Sequence, residues 1–314
     1  MTALTRLSRS WTQLSASERR EALAGYLFIS PWIVGFVVFF FGPIVASFVL
    51  SFTRWNIVGS PQWVGLSNYE RIFTQDPFFR KAVTVTLKYA AIYLPLEVVF
   101  GILIAVVLNQ KLRGIGVFRT MYYMPYIVPK VASSLVWVWV LNPRYGLLNT
   151  MLGWFGIEGP SWLADPDWVL PSIVMMSLWG VGGSAVIYLA GLQNVPAQLY
   201  EAASVDGANR FQKFVRITLP MLTPTIFFQL VLGLIGTFQT FTPAFIAAGR
   251  SGGPLQSGLF YMLYIYNRSF ESMRMGYGAA LAWIMTVFIM ILTVLVFRSS
   301  KYWVYYEAER KRTR

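Results

Sequence analysis

The sequence predicts an all-α, polytopic membrane domain of about six transmembrane helices, with a short helical segment in one cytoplasmic loop. Three observations carry that prediction. Of 314 residues, 56% are hydrophobic, 17% aromatic and only 12% charged, which is more apolar surface than a soluble domain of this size can hide. The apolar residues gather into stretches near the ~20 residues that a bilayer core demands. Lysine and arginine concentrate beside alternate ends of those stretches.

In chain order the stretches run over 23–52, 82–108, 117–141, 168–192, 221–248 and 277–297. The first is too long for a signal-peptide core and lacks a small-residue cleavage site, so it is expected to be a retained span. No internal repeat, low-complexity tract or domain-sized linker interrupts the series. The expected organisation is a cytoplasmic N-terminal tail over 1–22, a six-span transmembrane domain over 23–299 that includes a charged loop at 193–220, and a basic cytoplasmic tail over 300–314.

An even number of spans places both termini on one side. That side carries Arg6, Arg9, Arg19, Arg20, Lys111, Arg113, Arg119, Arg210, Lys213, Arg216, Arg298, Lys301, Arg310, Lys311, Arg312 and Arg314. The other holds Glu70, Asp76, Glu158, Asp165, Asp167 and Glu271. The positive-inside rule therefore makes the termini and the 193–220 loop cytoplasmic. The same distribution accounts for the net charge of +13 better than nucleic acid does, since no separate basic domain exists. Trp55, Trp63, Trp162, Trp168 and Trp303 fall near span ends as interface anchors. Cysteine and histidine are both absent, which removes disulfides, thiol nucleophiles, histidine acid–base chemistry and Cys/His metal sites. No catalytic or metal-ligating set is expected.

The loop EAASVDGANRFQKFVRITLP divides in two. Asn194 is a candidate cap, with Pro196 in the first turn, for a helix with a small apolar face of Leu199, Ala202 and Ala203, stopped by Gly207. Asp206 is a candidate cap for a second helix in which Phe211, Phe214, Val215 and Thr218 share one face, Gln212, Lys213 and Arg216 take the other, and Pro220 marks the end. An amphipathic helix on the lipid surface suits the second half. The first half buries too little area for that, because alanine offers little at ~25 cal/mol per Å². Small side chains instead let a helix sink into a groove on another protein.

Here the sequence resembles the permease subunits of bacterial ATP-binding-cassette carbohydrate importers of the maltose-transporter type. The resemblance lies in EAASVDGA followed by Ile217, Leu219 and Pro220, and in an ordered set of stretches over nearly the whole chain: GYLFISPWIVGFVVFFFGPIVASFVLSF, WVGLSNYERIF, FRTMYYMPYIVPKVASSLVWVWV and TFTPAFIAAGRSGGP. It implies that Glu201, Ala202, Ala203, Asp206 and Gly207 belong to a coupling helix seated in a cleft of a separate ATPase. It also implies a second homologous permease, two ATPase subunits that carry ATP and magnesium, a periplasmic or extracellular solute-binding protein, a sugar substrate and residence in the bacterial inner membrane. The chain matches the shorter form of the family, without added N-terminal spans or a large external domain.

A sugar path needs hydrogen-bonding groups and flat aromatic faces, since hydroxyls require partners once stripped of water. SLWGVGGSAVIY in the fourth stretch supplies Trp179, Gly180, Gly182, Gly183, Ser184 and Tyr188; GTFQTFTP in the fifth supplies Gln239, Thr240, Phe241 and Thr242. Singly, such glycines serve close helix packing and such hydroxyls bond back to their own helix. The resemblance favours Gly180, Gly183, Gln239, Thr240 and Thr242 as sugar contacts. Pro243 and the 249–254 run are expected to break the helix at the outer end of the path.

Glu97 and Lys130 are charges inside apolar stretches, each costing several kcal/mol unless paired or wet. Either they neutralise one another or polar groups inside the bundle, or Lys130 meets an anionic substrate such as a uronate, a sialyl sugar or a glycerol phosphate. The chain has no Gly-Lys pair and hence no P-loop, so ATP hydrolysis is assigned to a partner. An ion-coupled carrier, the alternative function, predicts repeated halves and several membrane carboxylates. A hydrolase built on Asp165 and Asp167 lacks helper groups, and no ring-forming channel filter is present.

Overall fold

The computed structural model describes residues 15–110 and 112–305. Of the orienting basic residues, Arg6, Arg9, Lys111, Arg310, Lys311, Arg312 and Arg314 lie outside the described residues. The all-α expectation holds: the described strands are one short antiparallel hairpin, β1 (Thr53–Arg54) with β2 (Gln62–Trp63).

A capping box opens α1 (Ala16–Phe36), where Ser15 accepts from the Glu18 N–H and Glu18 accepts from the Ser15 N–H at 2.8 Å. A π turn at Val37–Phe41 joins it to α2 (Gly42–Ser51), making one helical run of 36 residues. No residue of α1 is buried; the run packs through α2 on α15 (Met275–Trp303). After α3 (Ser67–Gln75), the long α4 (Pro77–Leu108) starts where Asp76 accepts from the Phe78 and Phe79 N–H groups and Pro77 occupies the first turn.

The third apolar stretch is two helices, α5 (Ile115–Ile127) and α6 (Lys130–Val140). Val128 precedes Pro129 and is extended, with ψ 132°, the conformation that a following proline imposes. After α7 (Leu147–Gly153), the fourth stretch is likewise divided: α8 (Pro166–Leu178) and α9 (Gly182–Gln193) meet at 49° across Trp179–Val181. Among the described residues, four helical runs, 16–51, 77–108, 210–238 and 275–303, are continuous and long enough to cross a bilayer, and α8 with α9 forms a bent fifth.

The charged loop contains α10 (Ala197–Val205), then α11 (Arg210–Lys213), a π turn at Phe214–Thr218 and α12 (Leu219–Phe238). Several expectations are corrected here. Asn194 sits at the end of α9, and Pro196 precedes α10. Asp206 closes α10, and the next helix is capped by Asn209, which exchanges bonds with Gln212 at 2.8 and 2.9 Å. Pro220 ends nothing, because it falls in the first turn of α12, where a missing N–H is tolerated within a helix that continues through the π turn. The second half of the loop is thus the start of the fifth span. That span ends at Phe238, before α13 (Thr242–Ala248), and Pro243 lies in the opening turn of α13 rather than breaking a helix.

Finally, α14 (Tyr261–Tyr266) packs on α4 and leads to α15. Two apolar clusters hold the bundle. The larger joins α4, α8, α13, α14 and α15 around Tyr89, Ile173, Phe260, Leu263 and Leu281. The smaller, around Leu108, Tyr188, Leu192 and Leu222, joins α4, α9 and α12 at the end that carries α10.

Candidate functional site

The three interrupted stretches open onto one cavity of about 590 Å³. Val128 lines it beside the α5–α6 break, Trp179 and Gly180 at the α8–α9 break, and Gln239, Thr240 and Phe241 at the α12–α13 break. Non-helical backbone at membrane depth is tolerated where it faces a water-filled or protein-lined space, so the breaks and the cavity explain one another. Of the residues that the sequence suggested for a path, Trp179, Gly180, Gly183, Ser184, Gln239, Thr240, Phe241, Thr242 and Lys130 are among its walls, whereas Gly182 lines a second cavity and Tyr188 is buried in the smaller apolar cluster.

Their local roles differ. A Cβ on Gly183 would lie 2.5 Å from the Tyr126 ring, and one on Gly182 would lie 1.8 Å from the Tyr122 carbonyl oxygen, so these two serve the approach of α9 to α5. At Gly180 a Cβ would meet only the Ser177 carbonyl oxygen at 3.6 Å. Thr240 donates back to the Gly236 carbonyl of its own chain segment at 3.3 Å, a local helix-type bond. Ser184 donates to Glu97 of α4, so its proton is already committed.

Beside the expected Glu97, the cavity exposes Tyr89, Tyr93 and Gln229, which sequence reasoning missed. Tyr89, Tyr93 and Glu97 recur at four-residue spacing and form one face of α4; the two tyrosine rings stack 5.2 Å apart, 5° from parallel. Tyr89 donates to Ser177 at 2.8 Å. Gln229, only 6% exposed, lines the same space without a hydrogen-bond partner among the described residues. The spacing of 89, 93 and 97 and a lone amide within an apolar helix were the available signals. Tyr126, Ser133 and Trp137 complete the polar and aromatic lining from α5 and α6. Glu97 and Lys130 do not pair with each other. A second cavity of about 560 Å³ has apolar walls, including Phe100, Ile104, Phe118 and Met121, and offers a polar solute few partners.

At the α10 end the geometry is that of a projecting, braced helix. Gly207 has φ +77°, and the Ala208 N–H bonds to the Ala203 carbonyl at 2.9 Å while the Gly207 N–H bonds to the Ser204 carbonyl at 3.2 Å. This is a Schellman closure that requires the left-handed residue. Glu201, Ala202 and Asp206 are exposed and Ala203 is half-buried. The Glu201 and Asp206 carboxylates make no ion pair among the described residues, and the neighbouring Val205 is 89% exposed. Asp165 is a helix cap that accepts from the Asp167 N–H at 3.0 Å, which accounts for it without catalysis.

On comparison with known proteins, residues 97–304 match the family described as binding-protein-dependent transport system inner membrane component. The chain is 42% identical over 299 residues to a probable ABC transporter permease protein, YesP, of Bacillus subtilis (strain 168), covering 95% of this chain and 96% of that one. It is 31% identical over 293 residues to the arabinooligosaccharides transport system permease protein AraP of the same organism, covering 92% and 91%. Among solved structures it resembles a bacterial ABC transporter involved in the import of the acidic polysaccharide alginate, with TM-score 0.80, 25% identity, and 91% and 97% coverage.

Proposed function

The chain belongs to the family of binding-protein-dependent transport system inner membrane components, the permeases of ABC transporters, and on that premise we propose that it forms half of a sugar path worked by alternating access. The observation that carries this reading is the meeting of three helix breaks at one cavity lined by hydroxyls, amides and aromatic faces. Such groups replace the water that a glycan loses on entry. Relatives named for oligosaccharide transport support the same substrate class. Lys130 opens α6, where the helix dipole also favours negative charge, and we assign it to an acidic group on the substrate.

Glu201, Ala202, Ala203, Asp206 and Gly207 are the surface offered to an ATPase subunit. The braced α10 links α9 to the run that becomes α12, so a push on it is passed to two walls of the cavity at once. The partners in this reading are a second homologous permease, two ATPase subunits that supply ATP and magnesium, and an external solute-binding protein. The termini and α10 face the cytoplasm, as the basic residues require.

The experiment is ATP hydrolysis by the reconstituted complex with its binding protein across neutral and acidic glycans. Stimulation by one glycan class, lost with Glu201→Ala or Gly207→Pro, is expected. Transport that persists without an ATPase overturns the reading and favours an ion-coupled carrier.

A further inference from the structure

Among the described residues, Glu97 is the only carboxylate on the wall of the polar cavity, and Lys130 is its only cation. They stand on different elements, Glu97 on α4 and Lys130 opening α6, and do not form an ion pair. Lys130 makes no side-chain hydrogen bond among the described residues, so both cavity charges lack a charged partner. Ser184 donates to Oε1 of Glu97 and fixes the carboxylate from α9. From α12, Gly233 leaves the space that the second oxygen occupies: a Cβ there would lie 2.9 Å from Oε2. Three spans therefore hold one carboxylate in place. One of its oxygens is used by the protein, and the other has no hydrogen-bond donor among the described residues.

We propose that Glu97 is a specificity-determining residue and that the cavity takes oligosaccharides with a single acidic group, rejecting chains that are acidic along their length. This deepens the reading of the cavity as a sugar path and depends on it. The second carboxylate oxygen of Glu97, with no donor from the described residues, is an acceptor suited to the hydroxyls of a sugar ring. A second acidic group brought beside it places like charges together in a space partly screened from water, where their repulsion is several times that in bulk solvent. Lys130, on a different element, neutralises one acidic group and is the only cation that the described residues of this chain bring to the cavity. Selection then comes from a repulsive element as well as an attractive one.

The test uses the complete permease and ATPase complex in nanodiscs, without the binding protein, so that its own selectivity does not enter. Equilibrium binding is measured for three radiolabelled probes: maltose, a disaccharide with one uronate, and a disaccharide of two uronates. Wild type is expected to bind the mono-uronate about tenfold more tightly than the di-uronate. Glu97→Gln should bring that ratio close to one. Glu70→Gln, which removes an exposed carboxylate away from the cavity, should keep the discrimination, while Lys130→Gln should lower the mono-uronate to the level of maltose. Equal binding of the two acidic probes by wild type overturns the proposal without recourse to any variant, as does an unchanged ratio in Glu97→Gln. Failure of all three probes to bind also overturns the proposal, since the cavity then selects nothing by itself; the sugar path falls only if glycan-stimulated hydrolysis with the binding protein is absent as well.

Discussion

The ammonium of Lys213 donates to the hydroxyl of Ser204 across 2.6 Å and ties the last turn of α10 to the helix that becomes the fifth span. Tyr200 and Thr218 make a second tie, hydroxyl to hydroxyl at 2.9 Å. Since each bond contributes about 0.5–1.5 kcal/mol, Ser204→Ala and Lys213→Ala should each weaken coupling between ATP hydrolysis and transport several-fold. The double variant should be no worse than either alone, because both remove one shared interaction. Sugar uptake per ATP hydrolysed is the measurement; additive losses would show that the two residues act separately.

Gly207 has open space around its Cα, so the cost of replacing it is purely conformational. Alanine at φ +77° should cost about 1–2 kcal/mol and loosen the Schellman closure. The expected outcome is a complex that still assembles, with sugar-stimulated hydrolysis reduced more than basal hydrolysis. Hydrolysis assays with and without sugar separate the two.

Two neighbouring glycines should behave differently. Gly182→Ala forces a methyl onto the Tyr122 carbonyl, a backbone atom that cannot swing aside, and should cost about 1–3 kcal/mol or prevent assembly. Gly180→Ala makes only an ordinary contact and should leave the melting temperature in detergent within a degree or two of wild type while altering sugar transport. Equal loss of stability in both variants would remove Gly180 from the path.

Asp76 is 8% exposed and joins three elements: it caps α4 and accepts from the hydroxyls of Tyr264 and Tyr277. Burial works to raise its pKa, but those hydroxyls, the Phe79 N–H and the nearby charge of Arg268 together hold it below the ordinary 3.8. A group depressed in the folded state stabilises the protein above its unfolded pKa. That contribution is full above about pH 5 and is lost as pH falls through 3.8 toward the depressed value. Asp76→Asn should lower the melting temperature at neutral pH and flatten its fall in acid. A thermal melt series from pH 3 to 7 on both proteins decides this.

Much of the molecule was legible because composition and hydropathy report on the solvent that a chain must satisfy. The all-α membrane architecture, the Ala-rich loop helix and its stop at Gly207 followed from apolar run length, small residues and a single glycine, while the left-handed φ of Gly207 came from the structure. The residues around Trp179 and Gln239 were identifiable as polar groups at costly positions. What hydropathy could not show was where a run of apolar residues is one helix and where it is two. The breaks at Val128, Trp179 and Gln239 are affordable only because all three face the same cavity, and no local window contains that condition. Nor could it show the use of individual hydroxyls: Ser184 is spent on Glu97, which lies 87 residues away in the chain. The sequence by itself determined the solvent, the number of apolar stretches and the chemistry available. Only the tertiary structure decided which of those groups share a space, because hydrogen bonds, repulsion and close approach depend on distances between spans that the order of residues does not contain.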